Sequence, residues 1–238
     1  MAPPASDSPS GRRSPADRPS AGPLVLASRS PQRQQILRTL GVDFAVDVAG
    51  VEEATDGDAV AVAVENARRK ALAVAARAPA GALVLGSDTV IAVPASGSAV
   101  PTEPGSLGAG ASPWQQLIAA GPSRAVGKPD DAVAADAMLR SWSGRAHHVV
   151  SAAAVVVAGE DRPEVVFSGA DASRVRFRTL SDDDVSWYVA TEEWRERAGG
   201  YAIQLRGSLL IEGIVGDWWN VVGLPVALLG REVPQLFR

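Results

Sequence analysis

The chain has no cysteine among its 238 residues. Disulfides, thiolate nucleophiles and cysteine-ligated metals are therefore excluded, and the composition is compatible with a reducing cytosol. Histidine is almost as scarce. His147 and His148 are the only two, and they form no HxH or HExxH pattern, so a zinc site is not expected. The longest apolar stretch, about Val149 to Ala158, is far short of the roughly 20 residues that cross a bilayer. The N-terminus carries no apolar leader core. There is no excess of positive charge: the net charge is -4, which argues against a nucleic-acid duplex as main partner. Several motifs are also missing. No G-x-S-x-G elbow supports a Ser/His/Asp hydrolase, no Walker A loop a P-loop NTPase, and no G-x-G-x-x-G after a strand a dinucleotide fold. Lysine is rare too. Of 23 basic residues only Lys70 and Lys128 are lysines.

Against this background one acid stands out. Asp88 interrupts the run Ala82-Leu-Val-Leu-Gly-Ser-Asp-Thr-Val-Ile-Ala-Val93, whose Val, Ile and Leu content predicts a strand covered on both faces. A carboxylate there must be paired, hydrogen-bonded or metal-bound. That demand is met equally by a structural role and a functional one, so its neighbours matter. Ser28-Arg-Ser-Pro-Gln-Arg33 joins a predicted strand to a predicted helix, with Ser30 as cap and Pro31 in the first helical position. Backbone N–H groups at such a terminus favour an anion. The same turn also describes an ordinary capped helix with exposed arginines. Lys128 is framed by Gly127 and Pro129, which restrict its backbone. Glu52-Glu53 follows the second predicted strand. Paired loop carboxylates are commonly just solvated, but beside Asp88 they suit Mg²⁺, which takes one or two carboxylates plus waters and phosphate oxygens. One acid with several dispersed cations fits a metal–phosphate substrate.

The order of elements predicts an α/β protein. Strands at 23–27, 44–48 and 82–93 alternate with helices at 31–40 and 58–78, which implies at least some parallel pairing. The second helix shows an apolar stripe of Val60, Val64, Ala67, Ala71 and Val74, with Asn66 and Lys70 four apart on its edge. A helix at 132–142, a hairpin of 148–157 with 165–177, a helix near 182–190 capped by Ser181, a strand near 209–214 and a last helix after Pro225 follow. Residues 1–22, rich in Pro, Ser, Ala and Arg, read as a disordered tail. Residues 94–123 hold five glycines and five prolines and read as a surface insertion, within which Trp114–Ile118 could form a short helical piece. The remaining 23–238 form one domain.

Eight short blocks stand in a fixed order: Leu26-Ala-Ser-Arg-Ser-Pro-Gln-Arg33, Glu52-Glu53, Arg69-Lys-Ala71, Ser87-Asp-Thr-Val90, Gly127-Lys-Pro129, Ser143-Gly-Arg-Ala-His147, Arg197-Ala-Gly-Gly-Tyr-Ala-Ile-Gln204 and Asn220-Val-Val-Gly-Leu-Pro225. Together they resemble the Maf family of nucleoside triphosphate pyrophosphatases. The resemblance implies a mixed, twisted central sheet with flanking helices and two lobes around a cleft. It implies hydrolysis of a nucleoside triphosphate to the monophosphate and pyrophosphate with Mg²⁺ or Mn²⁺, in housekeeping of the cytoplasmic nucleotide pool, by a homodimer. It also implies a link to septum formation, so the alternative is a nucleotide-binding regulator of division with little or no hydrolysis. Residue by residue, Asp88 matches the family's proton acceptor, and Glu53 a carboxylate near metal and phosphates; the two together would be the metal ligands. Ser28, Arg33, Lys70 and Lys128 match the phosphate-binding set. Thr89, Gln204 and Gln32 match the positions tied to base choice. Gln32 departs from the pattern, since the branch preferring dTTP and UTP has Arg there and the branch resembling a 7-methyl-GTP hydrolase has an aromatic residue. Arg197 and Ser151 replace a usual Lys and Thr. His147, Glu193 and Asn220 receive no settled role.

Overall fold

The computed structural model describes residues 22–95 and 111–238. The expected disordered tail, apart from Gly22, and residues 96–110 of the expected insertion lie outside the described residues. Seven strands form one mixed sheet: β1 (Leu24–Leu26), β2 (Phe44–Val46), β3 (Leu83–Pro94), β4 (Ser123–Val126), β5 (Ala146–Val157), β6 (Glu164–Phe177) and β7 (Ile211–Val215). Their order is β2-β1-β3-β5-β6-β7, with β4 beside β3. β1 pairs parallel with β2 and β3, and all other pairings are antiparallel. Among the described residues seven α-helices flank the sheet: α1 (Pro31–Thr39), α2 (Ala59–Ala75), α3 (Pro113–Ala119), α4 (Ala132–Trp142), α5 (Asp182–Ala190), α6 (Trp218–Val222) and α7 (Val226–Glu232). Among the described residues no helix is long and apolar enough to cross a membrane.

Most helix starts follow from local chemistry. Ser30, Asp58, Asp131, Ser181 and Asp217 each accept a backbone N–H from the first turn of the helix that follows, which satisfies one of the terminal donors left without an intrahelical partner. Ser181 and Asp184 close a reciprocal capping box, and Ser112 and Gln115 do the same for α3. α3 falls inside the segment read as insertion and buries Leu117.

The sheet register opens the cleft. Leu83–Leu85 of β3 pair with β1, and Ile91–Pro94 pair with β4. Leu83–Leu85 and, of the second stretch, Ile91 and Ala92 also pair with β5, so β1 and β4 share one edge of β3. Between them, Gly86 to Val90 have no strand neighbour on that edge among the described residues. Asp88 lies at the middle of this gap.

Residue alternation then divides β3 into two chemistries. Val84, Val90 and Ala92 join a core with Val25, Val150 and the small face of α2. On the opposite face, Leu83 and Leu85 join Ile36, Leu37 and Leu229, while Ile91 joins Leu139, Phe177 and Tyr188. Ser87 and Thr89 fall between those two cores. The break in apolar packing on that face is where polar groups from α1 and α6 converge.

α2 packs unusually close to β3. A methyl group on Gly86 would lie 2.2 Å from the Ala67 carbonyl oxygen and 2.7 Å from the Ala71 nitrogen. Only glycine permits this approach, and the alanine face of α2 is its counterpart. The buried side of α2 is accordingly Ala59, Val62, Ala63, Asn66, Ala67, Ala71, Val74 and Ala75. Val60 and Val64, expected in the stripe, are only partly buried against the core, because the helix turns its small residues and Asn66 toward the strand. Gly86→Ala should destabilise the fold by about 1–3 kcal/mol, as overpacking against backbone does. It should also lower activity by pushing Asn66 and Lys70 away from Asp88. Denaturant midpoints would measure it, and an unchanged midpoint would disprove the close approach.

Candidate active site

Asp88 is 7 % exposed and fully partnered. Its Oδ1 accepts from Lys70 Nζ at 2.7 Å, and its Oδ2 from Asn66 Nδ2 at 3.2 Å. Both donors sit four residues apart on α2, so one helical face delivers both. Lys70 Nζ also contacts Glu53 Oε1 at 2.8 Å. The lysine thus bridges a carboxylate from the sheet and one from the 47–57 loop. Asn66 locks that loop, since it accepts from the Ala54 nitrogen at 2.7 Å and donates to the Ala54 carbonyl at 3.0 Å. Partial burial pushes the Glu53 carboxyl up. The Lys70 hydrogen bond and the charges of Lys70, Lys128 and Arg33 outweigh this and hold it below its ordinary value.

Arg33 forms the opposite wall. It projects from the first turn of α1 and is buried. Its Nε donates to the Gly223 carbonyl at 2.8 Å, one Nη to Ser28 Oγ at 3.1 Å and the other to Thr89 Oγ1 at 3.1 Å. A guanidinium has five N–H bonds, so these three contacts leave two for an anion. Burial pushes the guanidinium pKa down, and the nearby charges of Asp88 and Glu53 push it back up. The polar relay continues behind it. Thr89 Oγ1 lies 2.9 Å from Ser151 Oγ, which donates to the Asn220 carbonyl at 2.7 Å. The buried Asn220 side chain donates to the Val149 carbonyl and to Ser173 Oγ, and accepts from the Ser151 nitrogen. Asn220, left without a role by its sequence position, therefore fastens α6 to β5 and β6 and holds Gly223 against Arg33.

A cleft of about 890 Å³ collects these groups. It is lined by Ser28, Gln32, Arg33, Glu53, Lys70, Asp88, Thr89, Lys128 and Gln204, so all nine residues singled out in the sequence meet in one place. Gln32 Oε1 accepts from Ser30 Oγ at 2.9 Å. Lys128 is at the exposed mouth, 2.7 Å from Glu196 Oε2. Some other lining residues stood out little as isolated sequence features. Asn66 was visible only as the α2 neighbour of Lys70, and Arg29 and Glu196 only as charges among many. Glu193 lies elsewhere, accepting from the Arg206 nitrogen at 3.0 Å. His147 stands behind the cleft wall, its Nε2 2.9 Å from the hydroxyl of Tyr201.

Glu53 and Asp88 fit a divalent cation as a partial site. They converge on one cationic point, now the Lys70 ammonium, with no third acid, histidine or cysteine completing a metal-binding group among the described residues. Two carboxylates with the rest supplied by waters and phosphate oxygens is the donor set of Mg²⁺.

Fold and cleft define an α/β protein built to hold a polyanion between one acid-bearing strand and two cationic walls. The sequence model of the family described as Maf-like protein matches residues 23–236, and the chain belongs to that family. It is 39% identical over 215 residues to a dTTP/UTP pyrophosphatase of Symbiobacterium thermophilum, covering 90% of this chain and 92% of that protein. A dTTP/UTP pyrophosphatase of Pyrococcus furiosus is 32% identical over 222 residues, 90% of this chain and 98% of its own length. One from Myxococcus xanthus is 39% identical over 217 residues, with 90% and 91% covered. Among solved structures, a HAM1 protein from Coxiella burnetii aligns with 79% of this chain and 90% of its own, at 18% identity and a TM-score of 0.31; a likeness that loose carries no argument.

Proposed function

We propose that this chain is a nucleoside triphosphate pyrophosphatase, which hydrolyses its substrate between the α- and β-phosphates to give the nucleoside monophosphate and pyrophosphate. The observation that carries the proposal is Asp88, pinned by Lys70 and Asn66 in a cleft whose other wall presents Ser28 and Arg33. The names of the relatives support the same activity and point to dTTP and UTP as the first substrates to try.

In this mechanism Asp88 orients a water and takes its proton as the oxygen attacks the α-phosphorus. The bond from the α-phosphorus to the bridging oxygen breaks, and pyrophosphate leaves. Phosphoryl chemistry asks the protein mainly for positioning and charge neutralisation. Arg33, with two N–H bonds left, and Ser28 would grip phosphate oxygens on one side, and Lys70 and Lys128 on the other. A guanidinium offers paired, directional bonds, whereas an ammonium is a point charge. Glu53 and Asp88 would hold Mg²⁺ or Mn²⁺, which when bound supplies neutralisation of phosphate charge. Gln32, Thr89 and Gln204 would face the nucleoside. The family resemblance further supports a homodimer working in the cytoplasm as a nucleotide-pool housekeeper.

The test is a screen of pyrophosphate release from the standard nucleoside triphosphates with Mg²⁺ or Mn²⁺. Release should be greatest with dTTP and UTP. No release above background with any nucleotide or metal would overturn the proposal and favour a nucleotide-binding regulator instead.

A further inference from the structure

Every cation on the cleft's floor and walls except those at the mouth has a structural partner deep in the fold. Lys128 is different. Among the described residues its ammonium pairs with the Glu196 carboxylate alone, at 2.7 Å, and both side chains are largely exposed, 56% and 81%. The two loops that carry them are fastened together, since the Gly199 nitrogen donates to the Gly127 carbonyl at 3.0 Å. Arg29 and Arg197 also line the cleft, and their charges, after the hydrogen bond and charge of Lys128, hold the Glu196 carboxyl below its ordinary value. The half-buried Arg197 guanidinium has an Nε with no hydrogen-bond partner among the described residues.

The backbone at Glu196 is also unusual. Its φ is 57°, in the left-handed region that non-glycine residues seldom adopt. Glu192 shares this conformation at 58°, but it directly follows the end of α5, where a left-handed residue is ordinary. Glu196 terminates no named helix and lines the cleft. A residue held in an unfavourable conformation at a binding cleft invites a functional explanation.

We propose that Glu196 is a built-in stand-in for substrate phosphate, its carboxylate occupying an anion seat formed by Lys128, Arg29 and Arg197 that an incoming polyphosphate must take over. The inference rests on the view that this cleft receives a nucleotide polyphosphate, and it adds Glu196 as a residue that sets affinity. With Glu196 in place the seat is neutralised between substrates. Polyphosphate binding must break the Lys128–Glu196 pair and then tolerate the displaced carboxylate nearby. Weak and short anions lose this competition more readily than a metal-bearing triphosphate does, so Glu196 favours the full substrate over its products.

Calorimetric titration of the whole chain with inorganic pyrophosphate, without divalent metal, tests this. Exposed ion pairs are individually weak, so the expected effect is moderate. Glu196→Gln and Glu196→Gly should each bind pyrophosphate roughly threefold to tenfold more tightly than the unaltered chain at low salt. The gain should shrink toward unity near 1 M salt, where screening is nearly complete. In a Lys128→Met background the Glu196→Gln gain should largely vanish, which separates displacement from a general change in charge. Unchanged or weaker binding by Glu196→Gln, or a gain that survives Lys128→Met in full, would overturn the proposal. The outcome is independent of turnover. Tighter pyrophosphate binding in a chain that hydrolyses no nucleotide would retire the pyrophosphatase reading and leave Glu196 as a stand-in, whereas an active chain indifferent to Glu196 would do the reverse.

Discussion

Asp88→Asn should lower turnover by about 10²–10⁴-fold, the usual consequence of removing a general base, while the protein still folds. The structure sharpens this expectation because the asparagine has no comfortable orientation. Asp88 accepts at both oxygens, from Lys70 and from Asn66. An amide keeps one acceptor and turns an NH₂ toward the other donor. Asn66 cannot resolve the clash by flipping its own amide, because its oxygen and nitrogen are both engaged by Ala54. One donor is therefore left facing another in a buried place, at a cost of about 1–3 kcal/mol. Activity and thermal unfolding should be read together. A small drop in stability with a collapse in turnover supports Asp88 as the proton acceptor. Turnover within a few-fold of normal, at any stability, would remove Asp88 from the chemistry and make its ion pair purely structural.

That pairing shows what could and could not be read in advance. The run around Asp88 announced a buried strand, and the buried carboxylate announced a need for partners. Lys70 and Asn66 were visible as neighbours on one helix edge. What the residues could not reveal was the height of α2 against β3. That is set by a contact between Gly86 and the backbone of Ala67 and Ala71, and such a three-dimensional contact leaves only a glycine in the sequence. The helices at 132–142 and 182–190 were legible because a cap, a long enough apolar pattern and a clear stop coincide there. β4 was not. It has four residues, starts at the last residue of the stretch read as insertion, and is held by pairing with the end of β3 rather than by its own pattern. α6 was missed for a similar reason, being five residues long. The strand expected near 209–214 begins at Ile211, after a tight turn over Arg206–Leu210 that buries Leu210 completely. In the site, the strongly patterned blocks located the cleft residues, but not their pairing. Arg33, expected as an anion donor, proves to be also a strut between α1, β3 and α6. Glu196 was one acid in the charged run Glu192-Glu-Trp-Arg-Glu-Arg197 until the fold set it against Lys128.

The buried histidines lead to the second large effect, which concerns stability rather than catalysis. His147 and His148 are 0% and 2% exposed. Burial pushes the pKa of His147 down to about 3, with the charge of His148 adding to it. Burial likewise takes His148 down to about 4, with Arg174 adding. Both rings are thus neutral in the folded protein but titrate near 6.5 once unfolded. The sign follows from proton binding: below 6.5 the unfolded chain takes up protons that the folded chain refuses, so stability falls as pH falls. The loss starts at 6.5 and continues until the folded values near 4 and 3 are reached. At 1.36 kcal/mol per pH unit and site, lowering the pH from 7 to 5 should cost about 4 kcal/mol, a large share of the 5–15 kcal/mol typical of a folded domain. The Glu53 carboxylate does not obscure this window. Glu53, with its lowered value, loses its contribution only as pH falls below its ordinary 4.5. His147→Phe isolates one of the two sites. The ring keeps its neighbours Trp142, Phe177 and Tyr201 but loses the contact with the Tyr201 hydroxyl, so stability at pH 7 should not rise by much and can fall by about 1–3 kcal/mol. Between pH 7 and 5, however, the variant should lose only about 2 kcal/mol instead of about 4, and below some pH it should become the more stable protein. Denaturant unfolding of both chains across this range gives the two slopes. Equal slopes would mean that His147 takes up a proton in the fold as readily as in the unfolded chain, and that its Nδ1, unpartnered among the described residues, finds a partner for that proton.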